Sequence, residues 1–328
     1  MKPIVIAGPT SVGKTDLSLY LAEKIGNAEI VSCDSMQIYK DMDIGTDKVS
    51  KEIREQIPHH MIDIITPREK MTLGRFIDLA SFHVKNILNK GKVPIIVGGT
   101  TLYMHFLLYD LPIFSQKDKN LIKDLEKKSN KELYNIILSK NKKLAKKISL
   151  QDRKRLLRYA ELLLKGENIN LNFWSDLKER FDFTGIILLK PRKDIFSKIE
   201  KRVENQIKKG LVEEVNFILN KYDFKKELDL FFPRYKHLSF NEIYKSFQTY
   251  FDKYPALQAH SYKEIIFYLY GILSLDEAKA WIIKSTKNYA KRQIRWLRKY
   301  LNFENWICID VENKSFDYIF DILIDNLD

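Results

Sequence analysis

Residues 8–15, Gly-Pro-Thr-Ser-Val-Gly-Lys-Thr, have the residue types and spacing of a phosphate-binding loop. The glycines allow backbone N–H groups to curl around an anion, and the lysine adds a positive charge. The closing threonine hydroxyl suits a Mg²⁺ ion that accompanies the phosphates. We therefore expect a bound pyrophosphate group, either that of ATP or that of another molecule ending in a diphosphate. The expected diphosphate-binding residues are Gly8, Thr10, Ser11, Val12, Gly13, Lys14 and Thr15, with Thr15 also as the Mg²⁺ ligand.

Two other polar residues follow apolar runs and are candidates for chemistry. Asp34 comes after the run at 28–33, where a carboxylate can bind Mg²⁺, accept a proton or cap the following helix. The spacing alone does not decide among these three roles. Thr100 follows Val97-Gly98-Gly99 and either contacts a ligand or caps the next helix. No Asp or Glu ends this run, so the metal-binding carboxylate typical of P-loop ATPases is missing there.

Two basic segments favour a nucleic-acid partner. A helical step of 100° per residue places Lys154, Arg155 and Arg158 on one face of segment 151–164, opposite its leucines. In segment 288–301 the expected basic side comprises Lys291, Arg292, Arg295, Arg298 and Lys299, and the expected core side comprises Ile294, Leu297 and Leu301. The whole chain has 56 Lys and Arg against 43 Asp and Glu, a formal net charge of +13. Clustered arginines of this kind are typical of surfaces that bind a phosphate backbone.

The composition narrows the class of protein. With 328 residues and 45% hydrophobic residues, the chain is long and apolar enough for about two globular domains. No apolar run approaches a membrane span and the N-terminus does not resemble a signal peptide, so we expect a cytoplasmic protein without a membrane partner. Cys33 and Cys308 stand far apart, which suits a reducing compartment. His59 and His60 lack a third metal ligand at a suitable spacing.

The elements that must position these residues alternate between strand and helix. Strands are predicted at 3–7, 28–32, 93–97, 185–189 and 306–311, and helices at 14–25, 73–88 and 194–209. Such alternation favours an α/β fold, a P-loop NTPase-like parallel sheet with helices on both faces. Because ligands collect at the carboxyl ends of parallel strands, the phosphate loop, Asp34 and Thr100 are expected to meet in one crevice.

The domain organisation is predicted to be discontinuous. Residues 1–111, 182–205 and 286–328 are expected to form the catalytic core, and residues 206–285 an inserted helical lobe. Residues 112–181 are lysine-rich and helical, and the sequence does not assign them to core or lobe.

Seven stretches, in this order, resemble the tRNA dimethylallyltransferases, also called tRNA isopentenyltransferases. They are GPTSVGKT, SCDSMQIYKDMDIGT, PHHMIDI, VPIIVGGTTLY, DRKRLLRYAE, KIEKRV followed by GLVEEV, and NYAKRQIRWLR. The similarity runs nearly from end to end and corresponds to the bacterial type, without the zinc finger of eukaryotic relatives. DSMQIYKDMDIGT and AKRQIRWLR are the most specific of the seven.

The resemblance implies a substrate and a reaction. The phosphate loop would hold the pyrophosphate of dimethylallyl diphosphate rather than ATP, and the prenyl group would go to N6 of the adenosine just 3′ of the tRNA anticodon. Asp34 matches the general base of the family, and Thr100 matches a residue that contacts the reacting adenosine. Arg202, Lys14 and Mg²⁺ near Thr15 would stabilise the departing diphosphate, so Asp34, Thr100 and Arg202 are the expected catalytic residues.

The resemblance also implies the tRNA contacts, and the target base would have to leave its stack. The expected tRNA-binding residues are Asp34, Ser35, Met36, Gln37, Thr100, Lys154, Arg155, Leu156, Leu157, Arg158, Lys291, Arg292, Gln293, Arg295 and Arg298. The anticodon stem-loop is the expected partner, bound by a monomer. The chain departs from the family at Lys198 and Gln258, where arginines are usual, and at Ser261, where glycine is usual. Segment 217–254 is also longer than usual.

Two other classes remain open from the residues alone. A P-loop kinase of a small metabolite would use Asp34 as substrate base and residues 153–158 as an arginine lid. It has no evident use for the basic segment at 288–301. A non-catalytic RNA-binding protein would leave the phosphate loop without a role.

Overall fold

The computed structural model describes residues 2–110, 114–169, 177–235, 238 and 240–326. Part of segment 217–254 and a few residues of segment 112–181 therefore lie outside the described residues. Two compact units emerge from the contacts within the chain. One comprises Met1–Leu108 and Phe181–Asp328, and the other comprises Tyr109–Arg180.

A parallel six-stranded sheet forms the centre of the first unit. Its strands are β1 (Ile4–Ala7), β2 (Ala28–Ser32), β3 (His59–His60), β4 (Val93–Gly98), β5 (Thr184–Leu189) and β6 (Trp306–Asp310). They lie in the order β3-β2-β4-β1-β5-β6. Their β-branched residues are buried on both faces, as expected when helices cover a parallel sheet. The predicted α/β class is confirmed.

The first unit also contains helices that precede and follow the second unit along the chain. They are α1 (Lys14–Ile25), α2 (Lys51–Gln56), α3 (Leu73–Asn89) and α4 (Thr101–Leu108), then α9 (Arg192–Lys208), α10 (Leu211–Lys221), α11 (Phe224–Phe231), α12 (Phe240–Lys253), α13 (Tyr262–Leu269), α14 (Leu275–Leu297) and α15 (Phe316–Ile324). Leu17 and Leu21 of α1 pack with Ile4 and Ile6 of β1 in one core cluster. All four residues are fully buried. This packing fixes the start of α1, and hence the phosphate loop, against the end of β1.

The second unit is helical, as the sequence predicts for this lysine-rich stretch. Its helices are α5 (Lys119–Glu126), α6 (Asn130–Lys140), α7 (Lys142–Ala145) and α8 (Arg153–Leu164). Ser129 and Glu132 form a capping box at the start of α6, which satisfies backbone N–H groups that have no partner within the helix. Leu133 and Leu156 are fully buried in the core of this unit.

The structure adds one strand that was not predicted and overturns one sequence expectation, whereas a third expectation stays open. His59 and His60 form the short edge strand β3, where their backbone pairs with Ile30 and Val31. Leu301 was expected in the core but is 45% exposed, because α14 ends at Leu297 and residues 298–302 continue as a 3₁₀-helix. The change of helical pitch rotates Leu301 out of the apolar face. Residues 206–285 belong to the same compact unit as the sheet, and their treatment as a separate lobe stays a prediction.

Among the helices described, none combines the length and the apolar character needed to cross a membrane.

Candidate active site

The phosphate loop lies between β1 and α1, as predicted. Ser11 and Gly13 have positive φ angles of 62° and 112°, which curl the backbone at this point. Ser11 Oγ is buried and has no hydrogen-bond partner among the described residues. Thr10, Ser11, Gly13, Lys14 and Thr15 line an open cleft, whereas Gly8 and Val12 are buried beneath the loop. Val12 therefore contributes to the site through its backbone and through packing.

Lys14 folds back over the loop and donates a hydrogen bond from Nζ to the Pro9 carbonyl, at 2.9 Å. Burial lowers the pKa of Lys14 to about 8; the nearby Asp34 carboxylate opposes this fall and the Arg202 guanidinium adds to it. The ammonium group is thus weakly solvated in the unliganded cleft. An anion placed on the loop would restore its preference for the charged form.

Asp34 and Thr100 meet at the ends of β2 and β4, two neighbouring strands. Asp34 Oδ1 accepts hydrogen bonds from the backbone N–H groups of Met36 at 2.8 Å and Gln37 at 3.3 Å. Thr100 Oγ1 accepts from the backbone N–H of Ser35 at 3.0 Å and donates to Ser35 Oγ at 3.3 Å. Asp34 therefore caps the turn that follows β2 with one oxygen. Asp34 Oδ2 has no hydrogen-bond partner in the described part of the chain.

Gln293 of α14 connects the phosphate loop to the end of β4. Its Oε1 accepts from Thr10 N at 2.9 Å and its Nε2 donates to the Gly99 carbonyl at 2.7 Å. The side chain is only 2% exposed. Gln293 therefore holds the loop with both ends of its amide, a role that was not predicted; it also lines the cleft, and its contact with tRNA stays a prediction.

Arg202 of α9 also contacts the phosphate loop. Its Nη1 donates to Thr10 Oγ1 at 3.0 Å, and its Nε lies 3.5 Å from the Asp47 carboxylate. The guanidinium is thus oriented toward the predicted diphosphate site by a carboxylate and a hydroxyl. Arg202 and the loop were predicted to act together, and the structure brings them into contact.

The loop at residues 43–47, which carries Asp47, is held by a carboxylate that the sequence analysis did not single out. Glu214 of α10 accepts from the backbone N–H groups of Asp43 at 2.9 Å, Ile44 at 2.7 Å and Gly45 at 3.1 Å. It also accepts from the Tyr262 hydroxyl at 2.6 Å. The stretch GLVEEV contains Glu214, but nothing in its local pattern indicates a bond to residues some 170 positions earlier.

Gln206 and Tyr262 hold the same loop together with Glu214, and we call these three residues the clamp. Gln206 Nε2 donates to the carbonyls of Ile44 at 3.0 Å and Gly45 at 3.2 Å. Gly45 lies against the Tyr262 ring, where an added Cβ would come within 2.3 Å of a ring carbon. Three helices thus fix the 43–47 loop, and only glycine fits at its centre.

These elements enclose a cleft of about 710 Å³ in the first unit. Its cationic lining residues are Lys14, Lys198, Lys201, Arg202, Lys263 and Arg292, and its acidic ones are Asp16, Asp34 and Asp47. The excess of positive charge suits a polyanionic ligand. The departures Lys198, Gln258 and Ser261 all line this cleft, as do the predicted residues Ser35, Met36 and Gln37.

The basic face of α14 is exposed, as predicted. Lys291, Arg292, Arg295 and Arg298 are all exposed, and Arg295 and Arg298 make no ion pair with any described residue. Arg292 additionally lines the cleft. Arg295 near the end of α14 and Arg298 at the start of the 3₁₀-helix that follows therefore remain available to bind phosphate groups.

The basic segment in α8 has a different character. Arg158 pairs with buried Glu161 at 2.7 Å, and Arg153 donates to the Lys128 and Glu126 carbonyls. Arg155 is 67% exposed. These internal bonds of Arg153 and Arg158 disfavour the arginine lid of a kinase.

Two leucines of α8 contact the core of the second unit. Leu156 has no exposed surface in the core of its own unit, and Leu157 packs against that core. The side chain of Leu156 supports the helix from inside. Contacts of Lys154, Arg155, Leu156, Leu157 and Arg158 with tRNA stay predictions.

Comparison with known proteins gives one consistent result. The family model described as IPP transferase matches residues 37–300, and one described as isopentenyl transferase matches residues 1–59. The chain is 38% identical over 321 residues to the tRNA dimethylallyltransferase of Sulfurihydrogenibium, covering 97% of this chain and 95% of that one. The Aquifex aeolicus tRNA dimethylallyltransferase is also 38% identical over 321 residues, with 97% and 94% covered.

Solved structures agree with the sequence relatives. A tRNA isopentenylpyrophosphate transferase of Staphylococcus epidermidis is 33% identical, with a TM-score of 0.66 and 99% of both chains covered. A eukaryotic dimethylallyltransferase crystallised acting on tRNA is 25% identical, with a TM-score of 0.78, covering 99% of this chain and 78% of the other. The resemblance on the seven sequence stretches is thus confirmed: the chain belongs to the IPP transferase family, that of the tRNA dimethylallyltransferases.

Proposed function

We propose that this protein transfers the dimethylallyl group of dimethylallyl diphosphate to N6 of the adenosine 3′ of the anticodon in tRNA and releases diphosphate. The carrying observation is that the phosphate loop and Asp34 line one cationic cleft of a chain in this family, and that Thr100 is hydrogen-bonded to Ser35 of the same lining. The proposal takes the protein as a cytoplasmic monomer that binds the anticodon stem-loop.

The diphosphate binds on the loop at residues 8–15. Backbone N–H groups around Ser11 and Gly13 face the anion, and the buried Ser11 hydroxyl gains a partner. Lys14 and Arg202 place positive charge on either side of Thr10. These groups are already oriented before substrate arrives, so little reorganisation is needed when charge develops on the leaving group.

The oxygen donors at the cleft fit Mg²⁺. Thr15 is exposed at the start of α1 and lines the cleft, where its hydroxyl can reach an ion bound to the diphosphate. No cluster of three or more His, Cys, Asp or Glu side chains in the described ranges is arranged to hold a metal, so most ligands would be phosphate oxygens and water. When bound, Mg²⁺ supplies neutralising charge to the diphosphate.

Asp34 and Thr100 act on the nucleophile. The N6 lone pair of adenine is delocalised into the ring, so the amine attacks well only as it loses a proton. The N6–C1 bond forms while the C1–O bond breaks, the bonding pair leaves with the diphosphate oxygen, and Asp34 Oδ2 receives the N6 proton. Thr100, bonded to Ser35 beside Asp34, orients the amine toward this carboxylate.

The tRNA is bound through its phosphate backbone by the exposed basic side of α14 and by α8. A base that stays stacked cannot place its N6 group against Asp34 within the cleft, so the target adenosine is extruded from its stack. Lys198, which stands where the family usually has arginine, keeps a positive charge among the residues that line the cleft.

Radiolabelled dimethylallyl diphosphate, bulk unmodified tRNA and Mg²⁺ test this function. Label is expected in tRNA without ATP, and dimethylallyl diphosphate should raise the melting temperature more than ATP does. A transfer that requires ATP, or stabilisation by ATP alone, would contradict the proposal.

A further inference from the structure

His260 lies in the cleft but has no part in the chemistry described above. It follows the 3₁₀-helix Pro255–Gln258 and precedes α13, and its ring lines the cleft. Its Nδ1 is buried and has no hydrogen-bond partner among the described residues. The ring lies 5.5 Å from the Tyr289 ring. A buried polar atom without a partner next to a ligand cleft requires a physical explanation.

The backbone beside His260 is held in a conformation that residues other than glycine rarely adopt. Ser261 has φ 84° and ψ −44°, at a position where the family usually has glycine. Its N–H donates to Glu264 Oε2 at 3.0 Å and its hydroxyl donates to Gln206 Oε1 at 3.3 Å. These bonds fix the turn, and the imidazole is thereby held in place against the cleft.

The charges facing His260 are mostly positive. Burial, together with the cations of Lys263 on α13, Arg292 on α14 and Arg202 on α9, lowers the pKa of His260 to about 3. The carboxylate of Glu264 on α13 is turned away, toward Ser261, Ser285 and Lys263. The imidazole is therefore neutral at physiological pH.

A neutral imidazole carries an N–H group on one ring nitrogen and a lone pair on the other, and the surroundings decide which nitrogen carries the proton. An N–H group buried without an acceptor costs more than an unused lone pair. The lone pair therefore belongs on Nδ1, and the proton on Nε2. Because Nδ1 is closed off, a hydrogen bond from this ring to a molecule in the cleft has to come from Nε2.

We propose that His260 is a neutral hydrogen-bond donor, through Nε2–H, to an oxygen of the substrate diphosphate. This inference rests on the proposed function. The diphosphate is favoured over the adenosine because His260 lines the same cleft as Lys263, Arg202 and Arg292, and Arg202 contacts Thr10 of the phosphate loop. A neutral donor stabilises the leaving oxygen without adding a further charge to a cleft that already has an excess of cations.

Nitrogen-15 NMR on histidine-labelled protein tests the tautomer directly, with His260→Gln to assign the signal. We expect the Nε2–H form of the neutral ring, unchanged between about pH 5 and pH 8, where an ordinary histidine titrates. Addition of inorganic pyrophosphate with Mg²⁺ should shift the Nε2 resonance. A titration midpoint near 6.5, a proton on Nδ1, or a shift caused only by tRNA would overturn the assignment.

Affinity for inorganic pyrophosphate supplies a second readout. His260→Leu removes the donor and should weaken binding about tenfold or more, as expected for a bond to a charged acceptor, whereas His260→Gln keeps an N–H group and should retain most of the affinity. His83→Gln, which changes a histidine outside the cleft, is the matched control and should bind normally. Equal affinities for the wild type and both His260 variants would overturn the inference.

The same titration separates two kinds of failure. If the wild-type protein does not bind pyrophosphate, the proposed function fails together with this inference. If it binds with no response from His260, only the inference fails.

Discussion

The two oxygens of Asp34 have different surroundings, and this difference separates the roles that the sequence left open. Oδ1 accepts from Met36 N at 2.8 Å and Gln37 N at 3.3 Å, so a capping role is realised. Oδ2 is left for a proton or a metal ion. A carboxylate can therefore cap the turn and act on substrate at the same time.

Asp34→Asn tests the base role, because the amide keeps an oxygen for the two N–H groups but cannot accept the N6 proton. We expect single-turnover transfer to slow by about 10²–10⁴-fold, the usual effect of losing a positioned base, with little change in stability. Affinity for pyrophosphate should persist, since the loop and Lys14 bind it independently. Native-rate transfer by the variant would leave Asp34 as a cap alone, and a collapse of pyrophosphate affinity would indicate a metal ligand.

The lowered pKa of Lys14 predicts a pH dependence of diphosphate binding. Burial brings the pKa to about 8, so the unliganded protein loses this charge as the pH rises through that value. Because the bound anion favours the charged lysine, affinity for pyrophosphate should fall above about pH 8, by up to tenfold per pH unit. Lys14→Arg, which stays charged, should show a flatter profile when both proteins are titrated in the same buffers.

At the scale of elements, the 43–47 loop connects helices α9, α10 and α13 to the phosphate loop. Glu214 holds the backbone of this loop, and Asp47 within it orients Arg202 toward Thr10. A displacement of α10 would therefore move the 43–47 loop, and with it Arg202 at the predicted diphosphate site. Glu214 is a positioning residue, since it acts through the loop.

Glu214→Gln should disturb this arrangement, because one carboxylate oxygen is replaced by an NH₂ group that faces donors. We expect kcat/KM for dimethylallyl diphosphate to fall by up to about 10²-fold, as for a small displacement of a catalytic group. Glu213→Gln, at the exposed neighbouring position, is the control and should remain near the wild-type value. Equal kinetics for the two variants would show that the clamp has no effect on the site.

The sequence predicts elements well where a local pattern determines them. The bounds of α1 and β2 agree with their predicted ranges because apolar periodicity and a glycine mark their ends. Leu301 was assigned wrongly because a helix changed pitch, and the two hydrogen bonds of the inward-facing Gln293 side chain were not predicted. Glu214 and His260 depend on contacts between distant segments, for which periodicity gives no signal.

At the scale of the molecule, positive charge is concentrated where the proposed substrates bind. The cleft has six cations against three carboxylates, and the exposed side of α14 carries arginines without ion-pair partners in the described ranges. Long-range attraction by such a surface accelerates encounter with a polyanion and weakens as salt screens it.

The double variant Arg295→Gln and Arg298→Gln should bind tRNA more weakly. The slope of log affinity against log salt should decrease by roughly one unit for each phosphate group that an arginine no longer neutralises. Pyrophosphate affinity should hardly change, because these side chains are not among those that line the cleft. Lys85→Gln with Lys90→Gln removes the same charge at two exposed positions that do not line the cleft and is the control. A salt slope equal to that of the control would show that the arginines are only a solvated face.

The central claim is that the dimethylallyl group is attached to N6 of the adenosine 3′ of the anticodon, and one measurement tests this directly. A synthetic anticodon stem-loop is incubated with the protein, Mg²⁺ and labelled dimethylallyl diphosphate in the absence of ATP, and the digested nucleosides are identified by mass spectrometry. We predict N6-dimethylallyladenosine at the position 3′ of the anticodon, and no product when that adenosine is replaced by guanosine. Label on another nucleoside, or transfer that persists after the replacement, would contradict the account.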